Sequence, residues 1–343
     1  MKQPNVKVWP DRLAETPIND GEKPFEWYRR LSEKYNVSFD TARTKAQHHK
    51  PKQRDAEQYG TDKISTDKKY EVVGWEEYIS FINHGQELFK KAKTAQDTAH
   101  WSIKSDSPIC VVVLGDLHIG SWATDHELFR TITYELVNTP NLYAILVGDL
   151  LQMAIKLRGV KEVMDNALPP GHQMKFLASW LDTVKHKVIA STWDNHSVMR
   201  EENQVGFSNY SEIFGRHVIY HDCIGHLSTI INDIEYKWAV AHFFRGRSMF
   251  NPLHGHFRYI KEFAPDRDIV ASGDSHTFGI GIWDIGNQEK VGLNCGSIQN
   301  SGYGKRFFSL INAPKFPCVV LDHKEKKITA LQSVQQYVKY WLP

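Results

Sequence analysis

Pro108-Ile-Cys-Val-Val-Val-Leu-Gly-Asp-Leu-His-Ile-Gly120 decides how this chain is to be read. Residues 109–114 are apolar without interruption, β-branched or Leu apart from Cys110, which is the pattern of a strand buried on both faces. The run stops at Gly115 and is followed at once by Asp116 and His118. A carboxylate and an imidazole two residues apart at a strand end can point at one spot, and their shared preference is a divalent first-row metal ion.

Working outward, the same pattern recurs. A helix predicted over Glu127 to Val137 leads to a second strand, Tyr143-Ala-Ile-Leu-Val-Gly-Asp149, so the order is strand, helix, strand. A third run from Lys187 delivers Asn195 and His196, a fourth from Tyr236 ends on His242, and a fifth from Asp268 delivers Asp274 and His276. In open α/β sheets ligands gather outside the carboxyl ends of strands, so these ends can converge on one site. A Gly-Asp after a strand is commonly a turn and a lone His commonly a hydrogen-bonded structural residue, yet successive strand ends carrying only Asp, Asn and His favour a metal site.

Composition sets the limits. With 343 residues, 41% hydrophobic and 12% aromatic, the chain suffices for one large and one smaller domain with an ordinary core. No apolar run approaches the roughly 20 residues of a membrane span, and the first residues lack the apolar core of a signal peptide, so a cytoplasmic protein is expected. Cys110, Cys223, Cys295 and Cys318 show no paired spacing and predict neither disulfides nor a zinc ribbon. A net charge of +2 does not argue for a polyanion partner, which must rest on local patches.

The first hundred residues read differently, as a helical module of 1–100 ahead of a larger domain over 106–343. Trp27, Leu31 and Tyr35 share one helical face, Asn36-Val37-Ser38 breaks it, and a second helix over Phe39 to His49 is expected with Ser38 as its cap. Residues 26–49 thus resemble a helix-turn-helix, with Arg43, Lys45 and Gln47 on its solvent side as candidate DNA contacts. A small helical bundle with a solvated basic face fits the same pattern. His48 to Lys69 reads as a polar linker, and a helix from Trp75 to about Thr94 is expected to pack the module onto the larger domain.

Gly115-Asp-x-His118, Gly148-Asp149, Asn195-His196, His242 and Gly273-Asp-x-His276, taken in that order, resemble the motifs of the calcineurin-like metallophosphoesterase superfamily over about residues 108–335. Asn294-Cys-Gly-Ser297 and the strand Phe316 to Leu321 are similar to its closing segment. The resemblance implies an α/β fold, a two-sheet sandwich flanked by helices, here preceded by a small helical N-terminal domain. It also implies two divalent ions, with Asp116, His118 and His276 at one, Asn195, His242 and Asp274 at the other, and Asp149 bridging them. Such a pair, about 3.5–4 Å apart, activates a hydroxide that attacks phosphorus in line, while His196 steadies the phosphate and assists the leaving oxygen.

This chain departs from the family pattern twice. Ser197 stands where an acid usually follows the histidine, and Asp274 stands where a histidine is usual, which tilts metal preference towards harder ions such as Mn2+, with Zn2+, Fe2+ or Mg2+ as the other choices. Arg245 and Arg247, just after His242, are either phosphate-binding groups or solvated surface cations. Asp149 lacks the acid-Arg-Gly continuation of phosphoprotein phosphatases, and the layout is more similar to the DNA-repair nucleases of the SbcD type, which are often homodimers. Trp122, Trp193, Phe243, Phe244 and Tyr303 are aromatic candidates for base stacking. The leading expectation is a DNA phosphodiesterase with a nuclease outcome, and the resemblance together with the helix-turn-helix implies phage or bacterial DNA metabolism, in the cytosol of a bacterium or a phage-infected host. The alternatives are a small-molecule nucleotide phosphoesterase and a DNA-binding scaffold whose phosphoesterase domain is inactive.

Overall fold

The computed structural model describes residues 9–49, 74–92, 95–154, 164–205, 208–215, 217–246, 248, 250–299 and 314–342. The chain divides into two compact units, Met1–Trp75 and Glu76–Pro343.

In the first unit the helices are α1 (Trp9–Ala14), α2 (Pro24–Tyr35) and α3 (Phe39–His49). Trp27, Tyr28 and Leu31 of α2 bury against Ala42 and Ala46 of α3, small residues that let the two axes approach. Asn36 turns the chain between them at φ 48°, and the Val37 N–H reaches back to the Ser32 carbonyl at 3.1 Å, closing the helix end. The Ser38 hydroxyl accepts from the Thr41 N–H at 3.2 Å, the expected cap. Arg43, Lys45 and Gln47 are exposed, and Arg43 pairs with Asp40 at 3.1 Å.

The second unit is α/β, with two mixed sheets of six strands. One has the order β12 (Ile328–Leu331), β11 (Cys318–Leu321), β2 (Ile109–Leu114), β3 (Leu142–Leu146), β4 (Val188–Thr192), β5 (Ile219–His221). Strands β2 to β5 are parallel, while β11 runs antiparallel to β2 and pairs Val319 with Val111. The other sheet has the order β1 (Thr98–Ile103), β6 (Gly225–Ile231), β7 (Ile234–Val240), β8 (Ile269–Ser272), β10 (Gln288–Asn294), β9 (Gly279–Ile285). There β7 and β8 are parallel, pairing Ala239 with Val270.

One cluster of buried side chains unites Val111, Val113, Ile145 and Ile189 of the first sheet with Leu227, Trp238 and Leu293 of the second, consistent with a two-sheet sandwich. Every residue of β2 is buried, which is why that strand carries no polar group. Helices α5 (His126–Asn138) and α6 (Pro170–Val184) connect β2, β3 and β4 and bury Phe129, Leu136, Leu177 and Leu181 in the same core. Asp125 caps α5 by accepting from the Leu128 N–H at 2.9 Å, and Pro169-Pro170 opens α6. Elsewhere the described residues form α4 (Trp75–Ala92), α7 (Val198–Val205), α8 (Asn209–Gly215), α9 (His254–Glu262) and α10 (Val334–Trp341).

Two expectations need correction. The helix over residues 75–92 forms, but Trp75, Tyr78, Ile79, Ile82 and Leu88, read as its packing face, are exposed. A 3.6-residue period identifies an apolar stripe without saying what covers it. The polar linker read from His48 does not begin there, because His48 and His49 complete α3; most of the remainder lies outside the described residues. All four cysteines are free, with Cys110, Cys295 and Cys318 buried as small hydrophobes. Among the described residues no helix is long and apolar enough to cross a membrane.

The fold also contains a buried histidine that couples stability to pH. His256 on α9 donates from Nε2 to the Leu293 carbonyl at 3.1 Å, and its Nδ1 meets no hydrogen-bond partner among the described residues. Burial lowers its pKa to about 4, since a second proton would be stranded on Nδ1. A depressed pKa means the unfolded chain takes up the proton first, so stability is lost as pH falls from about 6.5 to about 4. His256→Gln is expected to flatten this part of the stability profile by up to about 3 kcal/mol, measurable by urea unfolding at pH 7.5 and 4.5.

Candidate metal centre

The loops after β2, β3 and β4 of one sheet and after β7 and β8 of the other come together at one place. Asp116, His118, Asp149, Asp274 and His276 all sit at positive φ, between 47° and 64°. Non-glycine residues held there cost of order 1–3 kcal/mol each and persist only where the surroundings over-determine them. Here the Asp116 N–H donates to the Gly148 carbonyl at 3.1 Å, the His118 N–H to the Asp149 carbonyl at 2.9 Å, and the Asp274 N–H to Asp116 Oδ1 at 2.9 Å. The last bond ties the two sheets together through the site.

The side chains form two groups. Asp116, His118, Asp149 and His276 make one, and Asp149, His242 and Asp274 the other, with the ligand atoms of each group within 4.8 Å of one another. Asp149 belongs to both. Its Oδ2 lies 3.7 Å from His118 Nε2, and its Oδ1 lies 3.4 Å from His242 Nε2. Asn195 presents Oδ1 at 3.0 Å from His242 Nε2, and Asp274 Oδ1 is 3.5 Å from the same nitrogen.

The tautomers show what such a cluster lacks. His242 Nδ1 is 2.7 Å from the Val147 carbonyl, which can only accept, so Nδ1 carries a hydrogen and Nε2 faces the carboxylates, where a bound cation would take the place of its proton. His118 Nδ1 is likewise placed to donate to Gln152 Oε1 at 3.1 Å, directing the Nε2 lone pair towards His276 Nε2 at 3.0 Å. Nitrogen and oxygen ligand atoms thus converge within 4.8 Å of one another in each group. These residues fit divalent ions, because a cation at such a point converts mutual repulsion into coordination.

Ionisation responds in the same sense. Burial raises the Asp116 carboxyl to about 6, against the pull of His276 and His242. Burial would lower His242, but the carboxylates of Asp149, Asp116 and Asp194 outweigh it and raise the imidazole to about 9. For Asp149 burial pushes upward, and His196, His242 and His118 overcome it to hold the carboxyl well below its usual range.

His196 lies at the edge of the cluster, with Nε2 3.7 Å from Asp149 Oδ2. The orienting acid that Ser197 does not supply is replaced by a backbone group: His196 Nδ1 is 3.3 Å from the Gln152 carbonyl, which also accepts from Arg200 at 2.5 Å. Burial lowers the His196 pKa to about 4, with Arg200 adding to the effect against the opposing pull of Asp149. Arg200 Nη2 is 3.5 Å from His196 Nε2, so a permanent cation flanks the imidazole.

Three residues in this arrangement were absent from the sequence reading of the site. Asp194 is fully buried; its Oδ1 accepts from the Ser197 and Val198 N–H groups at 2.5 and 3.1 Å, and its Oδ2 accepts from the Asp149 N–H at 3.0 Å. It starts α7 and pins the Asn195-His196 loop to the shared carboxylate. Gln152 and Arg200 hold His118 and His196. An Asp just before Asn-His at a helix start is a visible capping signal; the roles of Gln152 and Arg200 depend on folding. Arg245 is exposed beside Asn195 and Asp274, while Arg247 and Tyr303 lie outside the described residues.

The α/β architecture with its buried His/Asp cluster is compatible with a metallophosphoesterase. Compared with family models and with curated proteins, the sequence matches none.

Proposed function

We propose that this chain is a dinuclear-metal-dependent phosphodiesterase that hydrolyses DNA, with the fold of the calcineurin-like metallophosphoesterases behind a small helical domain. The observation that carries this reading is Asp149, whose two oxygens face two separate groups of nitrogen and oxygen donors. Asp116, His118 and His276 would hold one ion, Asn195, His242 and Asp274 the other, with manganese favoured by the oxygen-rich second set. When bound, such ions supply Lewis acidity that polarises phosphoryl oxygens and lowers the pKa of water.

The protein's own groups do the rest. His196 Nε2 stands at the open edge of the cluster, where it steadies the phosphate and attends the leaving oxygen. Arg200 and Arg245 bring fixed positive charge to a dianionic transition state. The buried carboxylate of Asp194 keeps the loop in register so that none of these atoms must reorganise. Arg43, Lys45 and Gln47 on the solvent face of α3 would contact phosphates and base edges, which makes DNA the favoured substrate.

The test is cleavage of end-labelled single- and double-stranded DNA with added manganese, beside hydrolysis of bis-p-nitrophenyl phosphate. Wild type is expected to cut DNA, and His196→Ala to lower the rate about 10²-fold while leaving metal binding intact. Hydrolysis of the generic ester with DNA left whole would move the substrate to a smaller nucleotide. DNA binding with neither reaction would move the chain to the scaffold reading.

A further inference from the structure

Beside the acid–imidazole cluster a groove of about 710 Å³ lies between the loop after β4, the loop after β7 and α9. His242 forms part of its wall, so groove and cluster share a residue. A second hollow, of about 440 Å³, is lined by Asn195 and Asp274 together with Phe243, Phe244 and Arg245, and those last three also line the groove. A molecule with its phosphate at the cluster therefore has a continuous path past Arg245 into the groove.

We infer that this groove is a nucleobase subsite, taking the base of the nucleotide unit whose phosphate lies at the metal centre. The inference deepens the phosphodiesterase reading and rests on it for the position of the phosphate. Phe243 is 39% exposed and Phe263 65% exposed, although both stand in a concave wall. Tyr259 and Phe263 stack with centroids 6.0 Å apart, forming a platform at the groove's rim. Exposed aromatic faces in a concavity suit a flat partner, and stacking on them discriminates a base from a bare sugar.

The charges narrow the occupant further. Arg245, common to both hollows, suits the phosphate that links base to cluster. Asp222 and Arg258 also line the groove, the latter paired with Glu262 at 3.0 Å, so its wall carries charge of both signs. The volume falls within the range of sites for ligands of nucleotide size.

Calorimetric titration of the full chain, with and without manganese, would compare deoxyadenosine 5′-monophosphate with 2-deoxyribose 5-phosphate. In wild type the nucleotide is expected to bind at least about tenfold more tightly, the worth of one stacked base. Phe263→Ala, a change at the exposed rim, and Phe243→Ala should each remove most of that ratio. Equal affinity of the two ligands in wild type, or a ratio untouched by both variants, overturns the subsite. Hydrolysis of bis-p-nitrophenyl phosphate, run in parallel, separates the two claims. Turnover without a base preference leaves the phosphodiesterase and removes the subsite, and a base preference lost in Phe263→Ala without turnover does the reverse.

Discussion

Asp149→Asn is expected to lower manganese-supported phosphodiester hydrolysis by roughly 10³-fold or more and to reduce the number of ions bound. The substitution keeps size and shape but removes the negative charge, and it replaces one ligand oxygen with an NH2 group. Because Oδ1 faces His242 at 3.4 Å and Oδ2 faces His118 at 3.7 Å, either orientation of the amide spoils one of the two groups. The His196 N–H, which donates to Oδ1 at 3.2 Å, would also lose a charged acceptor. Metal content by elemental analysis and turnover of bis-p-nitrophenyl phosphate measure the two effects independently. Full activity with unchanged metal content would remove Asp149 as the shared ligand.

Gly148→Ala should be the most damaging single methyl group in the site. Gly148 has φ +90°, and a Cβ built there would stand 2.6 Å from the Asp194 Cβ and 2.7 Å from His242 Nδ1. Backbone strain of about 1–3 kcal/mol adds to overpacking of about 1–3 kcal/mol. The obstacles are a side chain locked by three backbone hydrogen bonds and an imidazole held by the Val147 carbonyl, so neither can move away cheaply. A fall in melting temperature of roughly 10 °C is expected. Metal affinity should fall as well, since relief of the clash turns His242 away from Asp149. A melting curve within 2 °C of wild type, as an order-of-magnitude margin, would show that the loop is softer than its hydrogen bonds imply.

The sequence was legible wherever the cause is local. The unbroken apolar run of β2 announces burial on both faces because any polar side chain there would be stranded. Helix α3 occupies Phe39–His49 as expected, since Ser38 is a cap whose bond closes within three residues. Asp116, His118, Asp149, Asn195, His242, Asp274 and His276 come together because each follows a strand, and parallel strands deliver their carboxyl ends to the same side.

What remained out of reach depends on contacts between distant parts of the chain. Nothing local assigns β2, β3 and β4 to one sheet and β7 and β8 to the other, although the site exists only where the two sets of loops meet. The bond from the Asp274 N–H to Asp116 Oδ1 joins residues 158 positions apart, and no window on the sequence contains both. The carbonyl that steadies His196 belongs to Gln152, a group every residue possesses and no motif can mark. The exposed face of the helix over residues 75–92 makes the complementary point: periodicity shows which side chains share a face, and packing decides what, if anything, lies against them. Residue types and their order thus determine the available ligands, whereas their distances, tautomers and charges arise only when both sheets close over one core.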